Sequence, residues 1–362
     1  MPPASKPSSP PSAAPDARVC YLVLGMHRSG TSAMSQLLSL AGVELPRNVM
    51  PGDDHNAQGY FEPWRIALFN DERLRAAGSA WDDVFAFPSP EPPTKDAADW
   101  RRRAAALFEE EFAGRRELLL KEPRVTVSAP FWREILRAAH VAPLCVVPVR
   151  HPLAVAGSLC RRDGFPPEKA VLLWATYMLA AEAYSRDLPR AFVDYDRLIA
   201  DWRGETTRIE RAHGRSLPKL DARAAKAIDA ALTSELRHNQ AQGELEALGW
   251  TGQLAHAVHQ ALSAAACDEP APVDALDAAA RELAARKRAM GALVSPAARD
   301  LDRARSENHE LNQALSWERR EHEALKARFD ALQRDWLLQK EILDEVGWTL
   351  DDILIGGGSI AR

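Results

Sequence analysis

Four short runs of apolar residues alternate with longer stretches in which apolar residues recur at helical spacing. The runs are Val19 to Leu24, Leu118 to Leu120, Leu144 to Val149 and Ala191 to Val193. Short continuous apolar runs are typical of buried parallel strands, and their alternation with helices predicts a doubly wound α/β sheet flanked by helices. Pro148 weakens the third strand because proline cannot donate to a strand ladder, although a position near a strand end tolerates it.

A polar cluster directly follows each apolar run. The clusters are Gly25 to Ser32, Lys121 to Arg124, Arg150 to Pro152 and Asp194 to Asp196. In open α/β sheets, ligands bind beyond the carboxyl ends of the strands. The pattern therefore predicts that the four clusters converge on one edge of the sheet.

Beyond about Ser295 the pattern becomes that of a long charged helix. With Leu301 at heptad position a, the apolar a and d residues are Leu301, Ala304, Leu311, Leu315, Leu325, Phe329, Leu332, Trp336, Leu343 and Val346. Four polar residues interrupt this row: Asn308, Glu318, His322 and Gln339. The register predicts a coiled coil, through which the chain would form a homo-oligomer. The alternative is a long amphipathic helix whose stripe packs on its own parent domain.

The same patterns divide the chain into five predicted regions. A Pro/Ser/Ala-rich disordered tail covers 1–17, and the α/β domain covers 18–250. A helical linker region over 251–298 precedes the coiled coil or long helix over 299–346. The last region, 347–362, contains three consecutive glycines and is predicted to be a flexible tail.

Composition restricts the classes of binding partner and the cellular compartment that the chain suits. The chain has 362 residues and a formal net charge of -5, so it lacks the overall cationic field that favours nucleic acid. Its four cysteines form neither a CxxC metal pattern nor a dense disulfide framework, and plain thiols predict a reducing, cytoplasmic location. No stretch has the roughly 18 uncharged apolar residues that a membrane span requires.

The segment Gly25-Met26-His27-Arg28-Ser29-Gly30-Thr31-Ser32 lies between the first predicted strand and a predicted helix. Its glycines let the backbone wrap closely around an anion, and the amides at a helix start favour phosphate there. It is a P-loop of unusual type. Thr31 stands where nucleotide hydrolases place their phosphate-binding lysine, and Arg28 lies inside the loop instead.

This loop resembles the 5′-phosphosulfate loop of sulfotransferases that use 3′-phosphoadenosine 5′-phosphosulfate (PAPS). The variant with arginine in the loop is shared by tyrosylprotein sulfotransferases and many bacterial carbohydrate sulfotransferases. The resemblance implies PAPS as the co-substrate, without a metal, and places Arg28 near the sulfuryl group. It also implies that four residues hold the 5′-phosphate: Ser29, Gly30, Thr31 and Ser32.

Two further segments resemble motifs of the same family. Arg150-His151-Pro152 with Ser158 is similar to its 3′-phosphate motif, in which a guanidinium grips the phosphate and a hydroxyl adds a second donor. Taken alone, the pair could equally be a strand-end arginine and a solvated serine. Lys121 resembles the strand-end lysine that stabilises charge on the transferring group, the alternative being a solvated cap or an ion pair with Glu122.

Two more segments resemble parts of related enzymes that lie near the acceptor and the nucleotide. The segment Asn56 to Trp64 is similar to a loop that supplies a catalytic carboxylate, which makes Glu62 the candidate general base and His55 the reserve. The alternative for Glu62 is a favourable charge at the start of the helix that follows Pro63. Tyr195 would stack on or border the adenine, or else be a core tyrosine.

The resemblance covers about Val19 to His238 and departs from the family at one point. Cytosolic small-molecule sulfotransferases hold the 3′-phosphate with an Arg-Lys-Gly loop, and Arg286-Lys287-Arg288 lacks the glycine. This departure argues against a drug- or steroid-conjugating enzyme. The resemblance implies instead a hydroxyl-bearing acceptor, with a glycan or glycolipid favoured and a tyrosine or small metabolite left open.

Two other functions are consistent with parts of the pattern. A P-loop kinase acting on a small molecule is disfavoured by Thr31 and by the lack of an obvious carboxylate for Mg²⁺. A non-catalytic sulfotransferase-like domain could instead serve as the base of an oligomerising coiled coil. The joint retention of Arg28, Lys121, Arg150 and Ser158 counts against such decay.

Overall fold

The structure of the chain is a computed structural model that describes residues 17–52, 59–233, 243–291 and 296–345. The predicted tails over 1–17 and 347–362 lie outside these ranges, apart from residue 17. The described residues form two compact units, one up to residue 291 and one from residue 296. The first is an α/β unit and the second is a single long helix.

The core of the α/β unit is a parallel sheet of four strands in the order β2-β1-β3-β4. The strands are β1 Arg18–Val23, β2 Glu117–Lys121, β3 Val141–Val149 and β4 Arg190–Asp194. The predicted parallel α/β sheet is therefore confirmed, although β3 begins three residues before the apolar run that predicted it. Pro148 lies next to the last residue of β3, opposite Val193 of β4.

Twelve helices connect and cover these strands within the described part of the α/β unit. They are α1 Thr31–Leu40, α2 Trp64–Ala76, α3 Ala97–Phe112, α4 Pro123–Val127, α5 Ala129–Ala138, α6 Pro152–Asp163, α7 Pro167–Ser185, α8 Tyr195–Ala200, α9 Trp202–His213, α10 Ala222–Ala231, α11 Gly249–Ala266 and α12 Val273–Gly291.

Side chains from both faces of the sheet are buried. Along β1, Cys20 and Leu22 belong to one hydrophobic cluster, whereas Tyr21 and Val23 belong to the other. This alternation follows from the two-residue period of a strand and means that helices cover both faces. Helix α11 packs against α7 and belongs to the first cluster, so part of the predicted linker region contributes to the core.

The second unit is helix α13, Pro296–Glu345, of 50 residues. It confirms the predicted long C-terminal helix, while the coiled coil stays a prediction. Its large apolar side chains are exposed, among them Leu311, Leu325 and Trp336. Within the described residues, no helix combines the length and the apolarity needed to cross a bilayer.

Candidate functional site

The loop between β1 and α1 has the backbone shape of an anion-binding turn. Gly25, Arg28 and Gly30 all have positive φ, at 146°, 68° and 90°, and α1 begins directly after Gly30. A Cβ atom on Gly30 would lie 2.3 Å from Cδ2 of Tyr195. Only glycine fits this position, because any side chain would meet the tyrosine ring and strain the backbone.

Thr126 in α4 anchors the start of this loop. Its Oγ1 accepts a hydrogen bond from the Gly25 amide at 2.8 Å and donates one to the Gly25 carbonyl oxygen at 3.2 Å. Thr126 is fully buried, so neither bond competes with water. The sequence pattern did not single out Thr126, and its position two residues after Arg124 was the only available signal.

The loop also holds a buried hydroxyl. The Ser29 side chain is fully buried, and its Oγ has no hydrogen-bond partner in the part of the chain that the structure describes. Leaving a buried hydroxyl unsatisfied costs about 1–3 kcal/mol. A ligand that forms a hydrogen bond with the Ser29 hydroxyl would recover this cost. The loop is therefore suited to binding an oxygen-rich ligand.

The structure brings the first and second sequence motifs into direct contact. Nε of Arg28 donates to Oγ of Ser158 at 2.8 Å, across 130 residues of sequence. Nη1 of Arg150 donates to the Arg28 carbonyl oxygen at 3.0 Å. The two candidate phosphate motifs therefore meet at the carboxyl edge of the sheet.

Arg150 lies in a mostly buried position beside Tyr195. Its guanidinium stands 4.4 Å from the centre of the Tyr195 ring, and the tyrosine itself is buried. Burial lowers the pKa of the Arg150 side chain, because a charged guanidinium loses hydration there. An anion bound beside Arg150 would compensate this loss, as would be expected of a phosphate-binding arginine.

Lys121 and Glu62 form a buried ion pair at the end of β2. The Lys121 ammonium group also donates to the Tyr60 carbonyl oxygen at 2.9 Å and to Oγ of Ser32 at 3.3 Å. It thus connects the P-loop helix to the segment that carries Glu62. The Glu62 carboxylate is engaged by Lys121, and α2, which begins two residues after Glu62, has no side-chain hydrogen bond at its cap.

The backbone at Glu62 is held in an unusual conformation. Phe61 has φ of +58°, in the left-handed region that large side chains seldom adopt. The Met50 amide bonds to the Glu62 carbonyl oxygen at 2.7 Å and fixes the next residue. Backbone strain of this kind persists only where the surrounding structure holds the residue in place, and it is common at functional sites.

Glu122 has partners other than the lysine proposed from sequence. It caps α4 by accepting from the Arg124 amide at 3.2 Å, and it accepts from the Arg124 guanidinium at 2.7 Å. Asn70 donates to its second oxygen at 2.6 Å, and Asp71 pairs with Arg124. Burial raises the pKa of Glu122, while Arg124 opposes that rise. Asn70 and Asp71 carried no signal in the sequence, because α2 brings them in from a distant segment.

A cluster of histidines lies beside the Arg150 motif. The rings of His151 and His259 are 4.8 Å apart, and Nδ1 of His256 lies 2.9 Å from Glu246. Burial lowers the pKa of His151, and it lowers the pKa of His259 to about 4, with the other two histidines adding to the effect at His259. Both His256 and His259 come from α11, a segment without a chemical signal in the sequence.

Other sequence candidates lie elsewhere. His55, the reserve base, falls outside the described residues. Lys287 lies in α12, where its ammonium group donates to the Phe85 carbonyl oxygen at 2.7 Å. Across the described ranges, no group of three or more His, Cys, Asp or Glu side chains is arranged to hold a metal ion.

A cavity of about 200 Å³ lies at the opposite, amino end of β4, beside Arg190 and Arg208. Arg208 is committed there to Glu205 at 2.6 Å and to Asp268 at 2.7 Å. Its charge is therefore balanced within the protein. The carboxyl edge of the sheet, where the motifs meet, remains the better candidate site.

Neither a protein-family profile nor a curated protein matches the chain. Among solved structures, the chain is similar to the sulfotransferase domain of the Synechococcus PCC 7002 olefin synthase, with 19% identity, a TM-score of 0.39, and coverage of 69% of this chain and 98% of that one. The sulfotransferase domain of the curacin biosynthetic pathway is 14% identical, with a TM-score of 0.40 and coverage of 71% and 99%. A sulfotransferase of Mycobacterium tuberculosis is also 14% identical, with a TM-score of 0.39 and coverage of 67% and 76%.

Proposed function

We propose that the chain is a sulfotransferase that moves the sulfuryl group of PAPS to a hydroxyl group of an acceptor. One observation carries the proposal. Arg28 bonds Ser158 at 2.8 Å and Arg150 bonds the Arg28 carbonyl at 3.0 Å, so two motifs with the chemistry of phosphate binding adjoin at one edge of the sheet. A nucleotide with phosphates at both its 3′ and 5′ positions is a ligand that two such adjacent motifs suit.

The residues present fit a doubly phosphorylated nucleotide. The buried Ser29 hydroxyl has unused hydrogen-bonding capacity in the described part of the chain, and the start of α1 after Gly30 favours an anion. In the proposal, Ser29, Gly30, Thr31 and Ser32 hold the 5′-phosphate. Arg150 and Ser158 hold the 3′-phosphate, and Tyr195 borders the adenine.

Lys121, Arg28 and Glu62 would carry the transfer step. When bound, PAPS supplies a sulfuryl group on a phosphate leaving group. Glu62 accepts the proton of the acceptor hydroxyl as the acceptor oxygen bonds to sulfur and the bond from sulfur to the phosphate oxygen breaks. The electron pair of that bond leaves with adenosine 3′,5′-bisphosphate, and Lys121 and Arg28 balance the growing negative charge. The Lys121 ammonium is already fixed by Ser32 and Tyr60, which keeps it in place when Glu62 becomes neutral.

The proposed reaction also needs an acceptor that carries a hydroxyl group. From the sequence resemblance we propose a hydroxyl of a glycan or glycolipid.

The direct test incubates the purified full chain with ³⁵S-labelled PAPS and fractionated cell-envelope glycans. We expect labelled ester in at least one fraction and release of adenosine 3′,5′-bisphosphate, with no requirement for added Mg²⁺. A parallel reaction with γ-³²P-labelled ATP and Mg²⁺ should give no transfer. Phosphate transfer from ATP without sulfuryl transfer from PAPS would overturn the proposal in favour of a kinase.

A further inference from the structure

Helix α13 exposes a row of large apolar side chains along one heptad seam. Six large apolar residues of the row are between 45% and 70% exposed, namely Leu311, Leu315, Leu325, Phe329, Leu332 and Trp336, and Leu343 of the same row is half-buried. In sequence the same register runs from Leu301 to Val346, more than six heptads. Three to four heptads are enough to indicate a coiled coil. An exposed apolar row of this length is a surface for a partner.

The two positions that flank this row differ in charge. The e positions are Arg305, Asn312, Arg319, Lys326, Gln333 and Lys340. The g positions are Glu307, Ala314, Glu321, Arg328, Asp335 and Ile342. The e flank is therefore basic or neutral throughout, whereas three of the four charged g residues are acidic. Charges at e and g determine which helix pairs with which, and in which orientation.

We propose that the α13 helices of two copies of this chain form a parallel, in-register coiled coil. In a parallel pair each g residue meets the e residue of the next heptad on the other helix. Glu321 then meets the partner's Lys326, and Asp335 meets the partner's Lys340. No pair of like charges arises at any of the flanking positions from 305 to 340.

The antiparallel arrangement is disfavoured by the same residues. It places e opposite e and g opposite g, so that Arg305, Arg319, Lys326 and Lys340 face a second basic flank. Like charges across a helix interface are destabilising and act as selection against that arrangement. The charge pattern thus selects a second copy in the parallel orientation over the reversed one.

Polar residues inside the seam also fit an in-register pair. Asn308 at position a would meet its own copy, and the amide carries both a donor and an acceptor with which to pair. A single such asparagine specifies register and two strands, at a cost in stability. Glu318 and His322 add polar side chains to two neighbouring layers of the seam, one helical turn apart. These interruptions lead us to expect a reversible dimer.

Sedimentation of the full chain tests the association. We expect a dimer at about 100 µM that dissociates on dilution. Leu325→Glu places a charge in the seam and should raise the dissociation constant at least about 100-fold. Ala327→Glu adds the same charge at the outer f position and should sediment like the wild type. A full chain that stays monomeric at the higher concentration overturns the proposal, as does an equal effect of the two substitutions.

Distance measurements test the orientation. Spin labels are placed at Gln313→Cys or Glu341→Cys, both at f, in a chain carrying Cys160→Ser and Cys267→Ser. The two sites are 28 residues apart, or about 42 Å along the helix. A parallel pair gives a short distance of about 20–35 Å for both single-labelled proteins. In an antiparallel pair at least one of them must exceed about 40 Å, and that result would overturn the proposal.

Exchanging the charges at the e and g positions tests their pairing independently of the apolar a and d residues. Lys326→Glu sets two acidic residues against Glu321 and its copy and should weaken the dimer by about tenfold. Adding Glu321→Lys restores opposite charges and should restore the wild-type dissociation constant. If the double variant is as weak as the single one, the g-to-e pairing is wrong.

Discussion

The α/β unit and helix α13 distribute charge and apolar surface in opposite ways. At the carboxyl edge of the sheet, Lys121, Glu62 and Glu122 are buried. On α13, Leu311 and Phe329 are exposed instead. Buried charge is stable only where its partners are present, and these charges have theirs within one chain. The contrast shows that the buried charges of the sheet edge are paired within the chain, whereas the apolar side chains of α13 are the surface for which we propose a second copy.

The largest effect is expected from removing Lys121. Lys121→Met leaves the Glu62 carboxylate buried without its ammonium partner, which should lower the free energy of unfolding by about 3–5 kcal/mol. Sulfuryl transfer should fall at least tenfold as well, because one charge-assisted contact to the transferring group is worth about 1.5–3 kcal/mol. Chemical unfolding and the labelled-PAPS assay measure the two effects.

Two control variants distinguish the loss of the Lys121–Glu62 ion pair from a general effect of replacing a lysine. The double variant with Lys121→Met and Glu62→Leu removes both charges and should recover most of the lost stability but none of the activity. Lys326→Met on the exposed α13 makes the same chemical change and should alter unfolding of the α/β unit by less than about 0.5 kcal/mol. Equal losses from the Lys121 and Lys326 variants would remove the contrast between the two units.

Gly30→Ala is expected to have the next largest effect. The new Cβ would lie 2.3 Å from the Tyr195 ring, and the backbone φ is +90°. We expect a loss of about 2–4 kcal/mol in the free energy of unfolding and weakened nucleotide binding. Gly78 has φ of +69° with nothing within 4 Å of an added Cβ, so Gly78→Ala introduces the backbone strain alone. A Gly30 variant no worse than the Gly78 variant would show that the Tyr195 contact is unimportant.

Much of this architecture follows from local sequence. A parallel strand buried on both faces must be apolar throughout, so runs such as Val19 to Leu24 predict strands, and the parallel arrangement then predicts which ends of the strands meet. That reasoning brought Gly30 and Arg150 to one edge. It also explains why the long helix α13 could be predicted, since its heptad pattern extends over dozens of residues.

Contacts between distant segments could not be predicted in the same way. The sequence offered Glu122 as the neighbour of Lys121, but the pairing depends on how the segment after residue 58 folds over β2, and the partner is Glu62. Thr126 acts through a hydroxyl that reaches back across 101 residues to Gly25. His259 approaches His151 because α11 packs against α6, which His151 caps, as well as against α7. No periodicity or spacing encodes such contacts.

The histidine cluster predicts a dependence of stability on pH. Burial lowers the pKa of His259 to about 4, from an ordinary value near 6.5. Well above pH 6.5 the residue is neutral in both the folded and the unfolded state, so its contribution to stability is constant. As the pH falls towards 4, the unfolded chain binds a proton that the folded chain does not, so the free energy of unfolding decreases.

His259→Phe should reduce this acid sensitivity. Between pH 7 and pH 5 we expect the variant to lose about 1–2 kcal/mol less than the wild type, as measured by urea unfolding at each pH. His140→Asn changes an exposed histidine and keeps a residue that tolerates its positive φ, so it should behave as the wild type. An unchanged pH dependence in the His259 variant would contradict the assignment.

At Thr126 we expect an effect of about the same size as at His259. Thr126→Val keeps the shape but removes both hydrogen bonds to Gly25, which should cost about 1–2 kcal/mol and raise the Kd for nucleotide more than it lowers kcat. Thr126→Ser keeps the hydroxyl and should retain most of the nucleotide affinity. If the valine and serine variants bind nucleotide equally well, Thr126 does not position the loop.

The central claim is that the Arg28 and Arg150 motifs hold the two phosphate ends of one nucleotide. Calorimetric titration of adenosine 3′,5′-bisphosphate and adenosine 5′-phosphate into the wild type and Arg150→Gln tests it most directly. The account predicts that the wild type prefers the bisphosphate by at least about tenfold. Arg150→Gln should lose that preference while its affinity for adenosine 5′-phosphate stays within about threefold of the wild-type value. A variant that keeps the full preference for the bisphosphate would contradict the account.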